Sequence, residues 1–256
     1  MRVKLSLLAV DKGARLPLDY QYAVASLIYA TLGSASTEFA AKLHDTGYQA
    51  DGRSFKLFTF SRIRTLDARV VNDTLLLESP EIELQISSPV AEFIKHLVSG
   101  LSKHETFRIA TGSFRIAHAE LVLAPGFKDR MAFRALSPLT ETIRAGEQHP
   151  SFLTLADNWS EVMQRNLLRK YEVLHGRQPD DTRFTFSWDN NYIAGAERRG
   201  KRLSVLRDIR GTKIRGWLAP FTVAGSRELI ELGYEAGFGA RNSMGFGMAE
   251  PVGGGP

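Results

Sequence analysis

Apolar and polar residues alternate over residues 2–10 (RVKLSLLAV), which predicts an opening β-strand. The spacing changes over 19–32 (DYQYAVASLIYATL), where Tyr22, Ser26 and Tyr29 fall on one helical face. Asp19 is the expected N-cap of this helix and Gly33 its expected stop. Ser36-Thr37-Glu38 opens a second short helix that closes at Gly47. A strand is predicted over 55–63 (FKLFTFSRI), with further strands around 68–71, 73–79 and 81–87. Val90, Phe93, Ile94, Leu97, Val98 and Leu101 recur at helical spacing over 90–104, and strands follow at about 105–110 and 114–123.

APGFKD (124–129) reads as a boundary. After it come a strand (MAFRALS), a long helix over 158–176 and an alternating strand over 183–189. A basic glycine-punctuated stretch then reads as two or more strands with turns, before a helix at 226–237 and a last strand at 245–252. Without the hairpin insertions each half has the order β-α-β-β-α-β. The expected class is α+β, with two tandem ferredoxin-like domains on antiparallel sheets, spanning 1–125 and 126–256. The PVGGGP end carries no inferred role.

Composition narrows the chemistry. The 256 residues are 43% hydrophobic and 24% charged, as in ordinary globular proteins, and hold no cysteine. Thiolate metal sites, disulfides and cysteine nucleophiles are thereby excluded, and the chain suits a reducing cytoplasm. No apolar run approaches the ~20 residues that span a bilayer, so no membrane partner is expected. The net charge of +5 is uneven: 14 Lys+Arg against 13 Asp+Glu over 1–125, and 19 against 15 over 126–256. Arg198, Arg199, Lys201 and Arg202 are expected at a hairpin tip, and Arg207, Arg210, Lys213 and Arg215 extend the strip. Such a strip suits a polyanion, nucleic acid first, or else is a solvated hairpin.

Gly237, Gly239, Gly245 and Gly247 form a GxGxxxxxGxG pattern. It lacks the GK[ST] ending of a P-loop, and Asn242 stands where a dinucleotide fingerprint needs glycine. It also follows a helix and opens a strand, the reverse of that fingerprint's setting. Two readings remain: a tight helix-to-strand connection, or a cradle of free N–H groups for an anion, with Arg241, Asn242 and Ser243 as added donors.

GYEAGFGARNSMGFGMAE resembles the C-terminal glycine-rich signature of the CRISPR-associated endoribonucleases that cut precursor CRISPR RNA within its repeats. LPLDYQYAVASLIYATL, EFAAKLHDTGY and FKLFTFSRI resemble that family's opening blocks in the same order. The resemblance implies tandem ferredoxin-like domains and metal-independent cleavage. In that reaction the ribose 2′-hydroxyl attacks the adjacent phosphorus, leaving a 2′,3′-cyclic phosphate and a 5′-hydroxyl. It implies repeat RNA as partner and no cofactor; a non-cleaving RNA-binding subunit of an effector complex is the alternative, and homodimer formation is left open.

His44 in LHDTGY matches the block where the family often carries its histidine, and an imidazole near pH 6.5 moves protons in either direction. A histidine at a helix end is also a common cap. Tyr29 matches an accompanying tyrosine, or else is a core residue with a hydrogen-bonded tip. Lys56, expected on the strand face of Phe58 and Phe60, would stabilise transition-state charge, or else snorkels to water. His96, His104, His118, His149 and His175 show no metal-ligand spacing, and Glu78, Glu81 and Glu83 read as solvent-facing strand carboxylates.

Overall fold

The computed structural model describes residues 1–50, 52–143 and 151–253. His149 and residues 254–256 of the PVGGGP end lie outside the described residues. The first half runs β1 (Arg2–Ala9), α1 (Gln21–Ala35), α2 (Thr37–Asp45), β2 (Tyr48–Ala50), β3 (Arg53–Phe55), β4 (Thr59–Phe60), β5 (Glu81–Ser87), α3 (Ala91–Leu101), β6 (Thr106–Ile109) and β7 (Gly112–Val122). Its sheet is ordered β6-β7-β1-β5-β4, and every pairing is antiparallel. A small three-stranded sheet from Arg15–Pro17, Ala68–Val71 and Thr74–Leu77 stands apart from it.

The second half runs β8 (Arg130–Ala135), α4 (Trp159–His175), β9 (Phe184–Trp188), α5 (Asn190–Arg198), β10 (Ser204–Ile209), β11 (Thr212–Trp217), β12 (Phe221–Gly225), α6 (Arg227–Ala236) and β13 (Ala249–Pro251). Its sheet is ordered β9-β12-β8-β13, again antiparallel. In both sheets the first strand lies between the third and the last strand of its β-α-β-β-α-β unit. This bears out the α+β class with two ferredoxin-like units. No described helix is long and apolar enough to cross a membrane.

Alternation sets the faces. Val3, Leu5 and Leu7 of β1 sit opposite Ile86, Leu84 and Ile82 of β5, and all six are buried. On the other face Lys4 bridges Glu83 at 3.0 Å and Glu120 at 3.4 Å. Arg64 also reaches Glu83, and Arg69 pairs with Glu78, so two of the three carboxylates of the ESPEIE stretch serve surface ion pairs.

Four expectations need correction. The helix over 19–32 does not stop at Gly33: α1 continues to Ala35, and a β-carbon on Gly33 would meet only the Ala40 methyl at 3.7 Å. The helix start is Tyr20, with no side-chain cap, so Asp19 does not cap it. The strand over 55–63 breaks. Leu57 adopts φ +49°, which sends its side chain into the second core while Phe58 and Phe60 fill the first. Lys56 is therefore not on a shared strand face with Phe58 and Phe60. Finally, the basic stretch opens with α5, capped by Asp189, whose carboxylate accepts from the Tyr192 N–H at 2.9 Å. Arg198 ends that helix and Arg199, Lys201 and Arg202 follow it in the connection; the real hairpin tip is at Arg210-Gly211, between β10 and β11.

The two sheets are joined by buried polar stitches. The Arg2 guanidinium donates to the Tyr234 and Ala249 carbonyls, both at 2.9 Å, and stacks 3.8 Å from the Tyr234 ring centroid. Desolvation lowers its pKa to about 10, so it stays charged at neutral pH. Thr59 Oγ1 donates to the Phe246 carbonyl at 2.9 Å, and the Arg62 N–H donates to the Leu136 carbonyl at 3.0 Å.

Candidate active site and nucleic-acid interface

Three separate segments bring Tyr29, His44 and Lys56 together. Ser36 caps α2, accepting from the Phe39 N–H at 3.2 Å, and the buried Phe39, Ala40 and Leu43 dock the helix. His44 is then left in its last turn on the outer side. Gly47 turns the chain back at φ +64°; a β-carbon there would lie 2.6 Å from the Phe55 carbonyl oxygen. This close approach lays the segment after β3 under the end of α2.

The Tyr29 and His44 rings meet nearly edge-on, with centroids 5.1 Å apart, and Phe58 holds Tyr29 from another side at 5.7 Å. Lys56 Nζ donates to the His44 carbonyl at 2.7 Å, a cation on exposed helix-terminal carbonyls. His44 Nδ1 lies 2.8 Å from Asp45 Oδ1, and the histidine side chain is 68% exposed. A proton on Nδ1, held by Asp45, leaves Nε2 as the open nitrogen of the neutral ring. Burial pushes the Tyr29 phenol up to about 12, so at neutral pH it is an O–H donor and not a base. Partial burial lowers the Lys56 pKa, and Asp45 opposes the shift. An exposed imidazole thus stands beside a half-buried neutral phenol and a half-buried cation.

The glycine-rich loop is built inward. Gly237, Gly239, Gly245 and Gly247 are all buried. A β-carbon on Gly247, at φ +81°, would lie 2.1 Å from the Phe238 carbonyl oxygen. The N–H groups of Phe238, Ala240, Met244, Gly245 and Gly247 are spent on backbone carbonyls, as in a tight helix-to-strand connection. Asn242 is spent as well: its amide nitrogen donates to the Phe246 carbonyl at 3.0 Å, and its oxygen accepts from Lys170 at 2.7 Å. Ser243 is half-buried and Arg241 exposed.

Lys170, which the sequence reading missed, organises this loop. Its buried ammonium donates to the Gly237 and Gly239 carbonyls and to Asn242, using all three protons. Burial pushes its pKa down, and the charge of nearby Glu141 pulls it back. Burial pushes the Glu141 carboxyl up in turn, against the pull of Lys170. A signal was available: position 170 falls on the apolar face of α4 with Met163 and Leu167, where a lysine needs a partner.

Arg198, Arg199, Lys201, Arg202, Arg210, Lys213 and Arg215 are exposed. Arg207 is half-buried, 3.9 Å from Asp19. Lys213 and Arg241 also line a cleft of about 890 Å³ with Glu141, Asn166 and two cations that the charge pattern did not single out, Arg53 and Arg165. Of the remaining histidines, His96 packs on Phe39, His104 on Phe107 and His175 on Tyr171, and His118 lies 3.6 Å from Glu120. Among the described residues no group of three or more His, Asp or Glu side chains could hold a metal ion.

Residues 15–120 match the family model described as CRISPR-associated protein Cas6, N-terminal, and residues 119–251 match CRISPR associated protein Cas6, C-terminal. The chain is 32% identical to the CRISPR-associated endoribonuclease Cas6 1 of Methanocaldococcus jannaschii, over 98% of this chain and 93% of that protein. It is 26% identical to the CRISPR-associated endoribonuclease Cas6 of Pyrococcus furiosus, over 95% of this chain and 86% of that one. Among solved structures, a Cas6-related gene product from Pyrococcus furiosus superposes with a TM-score of 0.83 at 26% identity, covering 99% of this chain and 98% of that chain. One described as CRISPR associated protein Cas6 gives 0.76 at 29% identity, covering 98% and 99%.

Proposed function

The chain belongs to the CRISPR-associated Cas6 family, and from that premise we propose that it is an endoribonuclease that cuts precursor CRISPR RNA within its repeats. The observation that carries the proposal is the convergence of Tyr29 and Lys56 on the exposed His44. The names of the relatives at 32% and 26% identity support the activity.

The reaction uses no metal. The ribose 2′-oxygen attacks the adjacent phosphorus while the bond to the 5′-oxygen breaks. The 2′-hydroxyl loses its proton, the leaving 5′-oxygen gains one, and the products are a 2′,3′-cyclic phosphate and a 5′-hydroxyl. His44 transfers a proton through Nε2. Lys56 keeps donors beyond the one on the His44 carbonyl and faces the charge that develops on the phosphoryl oxygens. The Tyr29 O–H orients an oxygen of the reacting group. The exposed arginines and lysines hold the strand through its phosphates.

Incubation of the pure chain with its repeat RNA in EDTA tests this reading. One cut, ending in a 2′,3′-cyclic phosphate and a 5′-hydroxyl, is the expected outcome. Tight binding with no cut would support the non-cleaving subunit instead, and metal-dependent cleavage with other ends would overturn the chemistry. Neutralising Arg198, Arg199, Lys201 and Arg202 together is expected to weaken RNA binding and flatten the dependence of log K on log salt by up to ~0.7 per lost phosphate contact on single strands. An unchanged slope in a filter-binding titration would remove that patch from the interface.

A further inference from the structure

Among the described phenylalanines, tyrosines and tryptophans, Tyr22 alone is exposed, at 41%. A partly exposed tyrosine offers a π-face that a planar partner can cover. It lies two helical turns from Tyr29 on the same face of α1, about 10 Å along the helix axis. Ser26, exposed, lies between them on that face. The strip therefore runs from the tip of the β10–β11 hairpin to His44.

At the hairpin end, Arg210 holds its guanidinium carbon 5.3 Å from the Tyr22 ring centroid, with Nη1 3.5 Å from the phenol oxygen. Arg210 sits at the tip with φ +52° and is itself exposed. An exposed guanidinium on an exposed ring is a weakly held pair, and its two halves are the groups that bind single-stranded RNA: a π-face for a base and a cation for the phosphate beside it.

We propose that Tyr22 is a stacking platform for a nucleobase of the bound RNA, at a position near the cleaved bond, with Arg210 moving from the ring to the neighbouring phosphate. The proposal rests on the RNA-cleavage reading for the identity of the ligand. Stacking tolerates any base, so the platform fixes the path of the strand toward His44 and not the sequence read. Tyr22 is a positioning residue here: it touches RNA but not the reacting atoms.

The test uses the full chain and repeat RNA carrying 2-aminopurine at single positions around the cut. Wild-type chain is expected to quench one of these positions. Tyr22→Phe, which keeps the π-face, is expected to quench it equally and bind within three-fold of wild type. Tyr22→Ala is expected to lose that quench and bind about ten-fold more weakly or worse. Arg210→Gln is expected to weaken binding while keeping the quench. Equal quench and affinity for Tyr22→Ala and wild type would overturn the proposal, as would a lower melting temperature with RNA binding intact, which would make the ring a packing strap. These readouts need no cleavage. Tyr22-dependent quench without a cut sinks the catalytic reading alone, and a normal cut with an indifferent Tyr22 sinks the platform alone.

Discussion

A His44→Ala chain is expected to cut repeat RNA at least a hundred-fold more slowly than the parent, at nearly unchanged RNA affinity. General acid–base groups contribute about 10²–10⁴ in rate, and of the three grouped side chains the imidazole is the exposed one, with Nε2 open to exchange a proton. The Tyr29 phenol, raised to about 12, cannot take its place as a base. The substitution is also structurally cheap. The His44 side chain is 68% exposed, and its neighbours are the Tyr29 ring edge and Asp45. The backbone carbonyl that Lys56 grips survives the change. A fall in rate would therefore report lost chemistry and not a collapsed helix end. The measurement is a single-turnover time course with protein in excess, beside a binding isotherm. A rate within a few-fold of the parent would remove His44 from the mechanism.

The second large effect is expected in stability. Arg2→Met should lower the unfolding free energy by about 2–6 kcal/mol, since two buried carbonyls each lose their donor at about 1–3 kcal/mol apiece. Arg2 is 2% exposed and donates to two carbonyls more than 230 residues away in the chain. The Tyr234 carbonyl lies in the last turn of α6, which carries no basic residue of its own, so Arg2 supplies the cation that this helix end lacks. Methionine fills much of the space but leaves both oxygens without that donor. Urea denaturation should show a lower midpoint with an unchanged slope. A loss under about 1 kcal/mol would mean that water or a neighbour satisfies these carbonyls.

Much of the fold was legible because burial follows local periodicity. The strand over 81–87 and the long helix of the second half appear where alternation and helical spacing put them. The misreadings share a physical origin in contacts distant along the chain. Nothing near Leu57 announces its positive φ; the pull comes from the second core, assembled from residues beyond 130. In α5 the glycine at 195 and the run of charges suggested turns, yet Asp189 starts a helix whose buried Gly195 and Ala196 pack inward. The glycine signature was legible as a loop. Its use was not, because the groups that consume its amides and fix Asn242, among them Thr140, Pro138 and Lys170, lie 70 to more than 100 residues away. The proposed site was the opposite case. Tyr29, His44 and Lys56 lie within one short stretch of chain, so local blocks could nominate them together, although Lys56 reaches His44 through a turn at Gly47 and not along a strand.

The stitches between the sheets bear on how the chain is born. Synthesis proceeds from the N-terminus, so β1, with Arg2, leaves the ribosome long before the carbonyls that receive its guanidinium. The same holds for Thr59, which waits for Phe246. Until those residues emerge, the first sheet is a provisional assembly whose border guanidinium is held by water alone. Its locking is deferred until residues 234 and 249 have been made. A chain cut just before residue 249 would lose one strand of the second sheet and one of the two carbonyls that hold Arg2, a liability that favours chaperone capture or proteolysis of incomplete products over their survival.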